Sequence, residues 1–370
     1  MRIAVTGSRG FIGANLVTRL RERPGTEVVE LHRGSDAPPL DGVDAVVHLA
    51  GVNRPPDPSG FEQGNAALTA QLAKTLGALG RPVPVILSSS TQAALDNPYG
   101  SSKRAAEQAL QDYARASGAD VRIYRLTNVF GKWARPNYNS AVATFCHNTV
   151  HGIPITVHDP AAPLRLVYID DVCEAFLRDI DDFVAGSRVD GAFREAGPVH
   201  ETTVGAVASM IAGFARSRSE ATVDRVGTGL CRALYATYLS HIPPAEFSYR
   251  PVRHVDPRGE FAEIVRSADS GQVSYFTAHP GVTRGGHYHH TKNEKFLVLR
   301  GRARFRFRDM RTGAVHQIDT TGTDPTVVET VPGWAHDITN IGEEEMLVML
   351  WANEAFDREH PDTIATRLGS

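Results

Sequence analysis

Four residues in the C-terminal third of the chain have the types and spacing to hold one divalent ion. His287 and His289 stand two apart in Gly286-His287-Tyr288-His289-His290-Thr291-Lys292-Asn293-Glu294, and Glu294 closes that stretch. A third imidazole, His336, follows much later in Pro332-Gly333-Trp334-Ala335-His336. Imidazole nitrogens and a carboxylate oxygen form a ligand set that zinc accepts; nickel, iron and manganese fit it almost as well. On a strand, a separation of two puts both imidazoles on one face. The expected metal ligands are therefore His287, His289, Glu294 and His336, with zinc the first choice. His290 is a bystander or a substitute ligand.

A second, unrelated chemistry opens the chain. Gly7-Ser8-Arg9-Gly10-Phe11-Ile12-Gly13 follows an apolar run and precedes an amphipathic one. Glycines at this spacing let the backbone turn tightly against a pyrophosphate, and the helix N-terminus offers it free N–H groups. The next strand ends in Leu31-His32-Arg33, where an acidic residue would favour the ribose hydroxyl of NAD. An arginine suits the 2′-phosphate of NADP instead, so NADP(H) is expected with Arg33 as its reader. Tyr99-Gly100-Ser101-Ser102-Lys103 places a phenol and an ammonium on one helix face. The ammonium favours the ionised phenol, and the phenol can give its proton to a carbonyl oxygen that receives hydride. Ser88-Ser89-Ser90-Thr91 ends a predicted strand, where one hydroxyl could hold the substrate oxygen.

These groups need two kinds of scaffold. Apolar runs at Arg2–Thr6, Val28–Leu31, Asp44–Ala50, Val83–Leu87 and Val121–Leu126 alternate with helical spacing at Phe11–Leu20, Asn65–Leu79 and Tyr99–Ala116. That alternation predicts an α/β domain, a Rossmann-type doubly wound parallel sheet. Val204–Phe214 and Leu230–Leu239 read as further helices, and Pro243-Pro244 then punctuates the chain. Beyond it, short β-branched and aromatic runs separated by Gly and Asp turns predict an all-β barrel or jelly roll. Two domains result, 1–245 and 246–370, which suits a 370-residue chain. A net charge of -3 argues against a general nucleic-acid binder. The basic run Arg300–Arg311 alternates with Phe305 and Phe307 and reads as a strand with a solvated face. Three scattered cysteines, no signal peptide and no apolar run of membrane-spanning length point to a cytoplasmic protein with no membrane partner.

Residues 1–242 resemble the extended short-chain dehydrogenase/reductases that act on nucleotide sugars. The resemblance rests on Thr6–Gly13, His48-Leu49-Ala50-Gly51, Asn65, the serine run, Pro98–Lys103, Arg125–Gly131 and Val167–Val172. It implies that Tyr99 is the proton donor, that Lys103 orients the nicotinamide ribose, and that Ser90, or Ser89 beside it, polarises the carbonyl. It also implies that Leu49 and Ala50 border the cofactor and that Asn128 and Arg165 contact the sugar diphosphate. The later residues resemble the cupins, with H-x-H, a glutamate and Gly301, then Pro332, His336 and Asn340. Arg258–Phe261 and Arg284–His287 are also similar to metal-free sugar 3,5-epimerases, in which the matching histidine is a base. His287 can thus be a ligand or a catalytic base.

Taken together, the chain resembles the CapF-type enzymes of bacterial capsular polysaccharide synthesis. That resemblance implies a UDP-linked 4-keto-6-deoxy amino sugar as substrate. The cupin would epimerise C3 of a UDP-2-acetamido-2,6-dideoxy-4-keto-hexose, and the reductase would deliver hydride from NADPH to C4. The product would be UDP-N-acetyl-6-deoxy-L-talosamine, a precursor of N-acetyl-L-fucosamine. The ketone acidifies the C3 proton, so epimerisation must precede reduction. A homodimer is expected. Two other readings stay open: a nucleotide-sugar epimerase or dehydratase whose cupin only drives oligomerisation, and a non-enzymatic NADP(H) sensor.

Overall fold

The computed structural model describes residues 1–32, 40–189, 191–251, 253–256, 259–262, 265–267, 271–354 and 359–368. The chain divides into two compact units, 1–129 with 165–201, and 130–164 with 202–370.

The first unit is built on a parallel sheet. Strands β1 (Arg2–Thr6), β2 (Glu27–Leu31), β3 (Ala45–His48), β4 (Val85–Ser90) and β5 (Val121–Leu126) stand in the order β2-β1-β3-β4-β5, and Phe193–Arg194 adds a sixth strand beyond β5. Every pairing is parallel. Central strands of such a sheet are covered on both faces; β3 is buried at all four positions. One side of the core gathers Val46, Val85, Leu87, Leu110, Val121 and Ile123. Chain order reverses around β1, flanked by β2 and β3. Open α/β sheets bind their ligands at such a switch point. Helix α1 (Phe11–Arg21) follows β1, and the helix Pro98–Ser117 follows β4. Asn97 caps the latter by accepting from the Gly100 amide at 2.8 Å, Pro98 fills its first turn, and Gly118 ends it with φ +73°. These signals fix where Tyr99 and Lys103 begin the helix.

The predicted helix from Asn65 starts earlier and irregularly, with a π-helical turn at Glu62–Ala67 before the α-helix Leu68–Ala78. Asn65 is buried in that turn, and its side chain bonds both the N–H and C=O of Val52 at 2.9 Å.

The second unit carries two antiparallel five-stranded sheets. One runs Ser248–Tyr249, Val327–Glu329, Glu294–Arg300, Met346–Ala352, Gln272–Ala278. The other runs Val315–Thr321, Arg302–Asp309, Trp334–Asn340, Thr283–Tyr288, Ile364–Ala365. The expected jelly-roll architecture is therefore present. Between the sheets lie Phe296, Phe305 and Phe307, all nearly inaccessible, with Phe296–Phe305 centroids at 5.7 Å. The arginines alternating with these phenylalanines pair with carboxylates: Arg304 grips Asp319 and Arg306 grips Asp337, each through two nitrogens. One of the short apolar runs, Phe261–Val265, lies partly outside the described residues; Gly259–Ala262 pairs with Arg253–Asp256 as a hairpin.

Candidate functional site

The glycine turn after β1 is shaped by close backbone approach. Gly7 has φ +68°, and a Cβ there would stand 2.8 Å from the Ala50 amide nitrogen. A Cβ on Gly13 would fall 2.2 Å from the Gly7 carbonyl oxygen. Gly10 caps α1 in an extended conformation with no side-chain cap and no acidic residue in the first turn. The helix N-terminus is thus left for an anion. Ser8 adds a buried hydroxyl without a hydrogen-bond partner. Arg9 is exposed, and Phe11 and Ile12 are half-buried at the helix start. These residues fit the pyrophosphate of a dinucleotide. Arg33, the expected reader of the 2′-phosphate, lies outside the described residues.

A buried hydrogen-bond chain fixes the neighbouring strand end. Thr6 Oγ1 accepts from the amides of Leu49 and Ala50, both at 3.1 Å, and contacts His48 Nδ1 at 2.7 Å. With two N–H groups already pointing at it, the Thr6 hydroxyl donates its own hydrogen to Nδ1. His48 Nε2–H then donates to Thr69 Oγ1 at 2.9 Å, and Thr69 donates to the Asn65 carbonyl at 2.8 Å. Burial, with the nearby Lys103 charge, pushes the His48 pKa down to about 3, so the imidazole stays neutral and holds one tautomer. The Asn65 amide also reaches Ser102 Oγ at 3.1 Å, and Ser102 donates to the Tyr99 carbonyl at 2.8 Å. The loop after β3 and the helix that carries the phenol thus share one network.

Tyr99 and Lys103 do share a helix face: the Lys103 ammonium stands 5.9 Å from the Tyr99 ring centroid and bonds the Ser88 carbonyl at 3.3 Å. Burial pushes the Lys103 pKa down to about 8, with Glu107 opposing. Burial also raises the Tyr99 phenol, with a hydrogen bond from Ser90 opposing. The period of two along β4 separates the two candidate serines. Ser90 is the one beside Tyr99. Ser89 is buried and donates to Glu107 Oε1 at 2.5 Å, while Arg125 holds the same carboxylate at 3.0 and 2.7 Å. Glu107 was not singled out from sequence; a carboxylate four residues beyond Lys103 was the available signal. Asn128 and Arg165 meet through the backbone, Asn128 Nδ2 donating to the Arg165 carbonyl at 3.0 Å. Both side chains are exposed, and Arg165 lies 3.5 Å from Glu201.

The four predicted metal ligands converge. One ligand atom from each of His287, His289, Glu294 and His336 lies within 4.8 Å of the others, the one such cluster among the described residues. His287 lies on the strand Thr283–Tyr288 and His289 directly follows its last residue, with the two ring centroids 5.0 Å apart on one side. A register shift in the pairing with Trp334–Asn340 falls between Gly285 and His287. Glu294 begins the next strand and His336 lies within Trp334–Asn340. Glu294 Oε2 sits 3.2 Å from His289 Nε2 and 3.3 Å from His336 Nε2. Both His336 nitrogens are nevertheless buried without a well-formed hydrogen bond. Burial, then the neighbouring His336 and His289, pushes the His287 pKa down to about 3. A neutral imidazole, an ionised carboxylate and an unsatisfied buried nitrogen, all facing one point, fit a divalent cation. His290 is buried and its backbone amide bonds Asp362, outside this cluster.

A dinucleotide turn with a Tyr/Lys/Ser set, carried in one chain with a His/Glu barrel, defines a short-chain dehydrogenase joined to a cupin. Residues 3–189 match the NAD dependent epimerase/dehydratase family, and residues 254–364 match the polysaccharide biosynthesis C-terminal domain. A Pseudomonas aeruginosa protein, UDP-2-acetamido-2,6-beta-L-arabino-hexul-4-ose reductase, is 52% identical over 100% of this chain and 99% of its own. The crystal structure of the capsular polysaccharide assembling protein CapF from Staphylococcus aureus superposes with a TM-score of 0.67 and 37% identity, covering 99% of this chain and 100% of that one. UDP-glucuronic acid decarboxylase 6 of Arabidopsis thaliana is 27% identical over 48% of this chain and 65% of its own. The chain therefore belongs to the CapF-type branch of the NAD dependent epimerase/dehydratase family.

Proposed function

We propose that this chain is a bifunctional UDP-sugar enzyme of capsule or O-antigen synthesis. Residues 1–245 act as an NADPH-dependent 4-ketoreductase and residues 246–370 as a metal-dependent C3 epimerase. The substrate is a UDP-2-acetamido-2,6-dideoxy-4-keto-hexose and the product UDP-N-acetyl-6-deoxy-L-talosamine. The reductase half is supported by the full-length relative named a hexul-4-ose reductase. The single observation that carries the epimerase half is the converging His287/His289/Glu294/His336 set.

Reduced nicotinamide, when bound at the glycine turn, supplies the hydride. The residues of this chain do the rest. Ser90 and Tyr99 hold the C4 carbonyl oxygen, and Tyr99 gives it a proton as hydride arrives at carbon. The Lys103 charge stabilises the phenolate left behind. In the barrel, His289, Glu294 and His336 would hold a divalent ion, which when bound would supply a Lewis acid for the negative charge that forms when the C3 proton leaves. His287, the most exposed of the four, has a neutral imidazole whose lone pair serves as ligand or as base for the C3 proton. Zinc is the metal proposed, and a homodimer the assembly. The three cysteines are free, and no described helix is long and apolar enough to cross a membrane; both support a cytoplasmic enzyme.

The test is incubation with the 4-keto UDP-sugar and NADPH. Wild type should consume NADPH, and Tyr99→Phe should not. No consumption by wild type would end the reductase proposal.

A further inference from the structure

The C-terminal segment makes contacts that the reaction scheme does not use. Ile364–Ala365 pairs as an edge strand with Thr283–Tyr288, aligning Ala365 with His287 and Ile364 with Tyr288. The Thr366 amide extends this pairing to the Gly286 carbonyl at 2.8 Å. Just before it, the Asp362 carboxylate collects the turn that joins His289 to Glu294. Oδ1 accepts from the His290 amide at 2.8 Å, and Oδ2 accepts from the amides of Thr291 and Lys292, both at 2.7 Å. The Thr291 hydroxyl adds a bond to Oδ2 at 3.0 Å. Three consecutive amides on one carboxylate form a nest that a neutral side chain could not fill as well.

The same residue reaches the imidazole. The Asp362 carbonyl oxygen is bonded to His289 Nδ1. A carbonyl can only accept, so Nδ1 carries a hydrogen, and Nε2 is the nitrogen turned toward Glu294 and the ligand cluster. The Gly333 amide fixes His289 a third time, donating to its carbonyl at 2.8 Å. His289 is thus set in ring orientation and backbone position by groups 44 and 73 residues away in sequence.

We infer that Asp362 is a positioning residue for the metal centre, through which the C-terminal segment straps the His289–Glu294 turn into its binding geometry. The inference rests on the proposed metal site and says which residue outside the ligand set preorganises it. Partners of this kind typically change metal affinity by about 10–100-fold.

The experiment uses full-length protein stripped of metal and titrated with Co²⁺, with NADPH binding measured as the fold control. In Asp362→Ala, the Co²⁺ dissociation constant is expected to rise about 10–100-fold. The visible absorption of the saturated site is expected to differ from wild type, which a loss of barrel stability alone would not cause. Asp362→Asn keeps the shape and one acceptor oxygen, and should fall between the two in affinity and spectrum. Wild-type affinity and an unchanged spectrum in Asp362→Ala would overturn the inference. If Asp362→Ala does not fold, a wild-type affinity and spectrum in Asp362→Asn would overturn it. Failure of the wild-type protein itself to bind Co²⁺ would overturn the metal site on which the inference rests.

Discussion

Adding one methyl group at Gly13 tests the cofactor geometry directly. The Cβ of Gly13→Ala would lie 2.2 Å from the Gly7 carbonyl oxygen, 2.8 Å from Ser8 Cα and 2.9 Å from the Gly7 carbonyl carbon. Ordinary van der Waals contact begins near 3.4 Å, so the overlap with the oxygen exceeds one ångström. All three obstacles are backbone atoms, so no rotamer change relieves the clash. The start of α1 must move away from the turn, carrying with it the amides that face the pyrophosphate. Overpacking of this kind costs about 1–3 kcal/mol, and binding sites tolerate displacement of only about 0.5 Å. At about 1.4 kcal/mol per decade, NADPH should bind roughly 5–140-fold more weakly. A fluorescence titration of NADPH against wild type and Gly13→Ala measures this, with the metal content of the barrel as the control for folding. An unchanged dissociation constant would refute the claim that the Gly7–Gly13 turn cradles the cofactor.

Other perturbations reach the remaining parts. Burial favours the uncharged amine of Lys103, so its proton leaves near pH 8 instead of 10.5, while burial keeps the Tyr99 phenol protonated. NADPH oxidation should therefore hold level up to about pH 8 and fall about tenfold per unit above it; a profile flat to pH 10 would contradict the role of Lys103. Tyr99→Phe should lower reduction by about 10²–10⁴-fold while leaving NADPH affinity within a few-fold, read from kcat beside a binding titration. Glu329 is buried between Lys295 and Arg218. Glu329→Ala would strand two cations at a cost of about 3–5 kcal/mol, lowering the barrel melting temperature by roughly 6–20 °C; an unchanged thermal scan would count against that pairing.

Local chemistry was the most legible part of the sequence. The Gly7–Gly13 turn and the Tyr99/Lys103 pair depend on spacings of a few residues along one element, and both meet as expected. The choice between Ser89 and Ser90 needed the partner of each face, because Glu107 and Arg125 claim the inward one. The histidine pair faces one cluster as its spacing of two suggests, with His289 standing just past the strand's last residue, Tyr288. Strands such as Val315–Thr321 carry mostly polar residues and leave no clear apolar signature. Asp362 was invisible for a simpler reason. It lies 73 residues beyond His289, and nothing in its local sequence marks it as a support for that turn.

The central claim is that one ketosugar is deprotonated at C3 in the barrel and reduced at C4 on the parallel sheet. Its most direct measurement is deuterium incorporation in heavy water, with the 4-keto UDP-sugar and Tyr99→Phe enzyme, followed by NMR in metal-loaded and chelator-treated samples. The account predicts label at C3 with metal, loss of that label after chelation, and no NADPH oxidation in either sample. Absence of label at C3 in the metal-loaded sample, or equal labelling after complete metal removal, would contradict it.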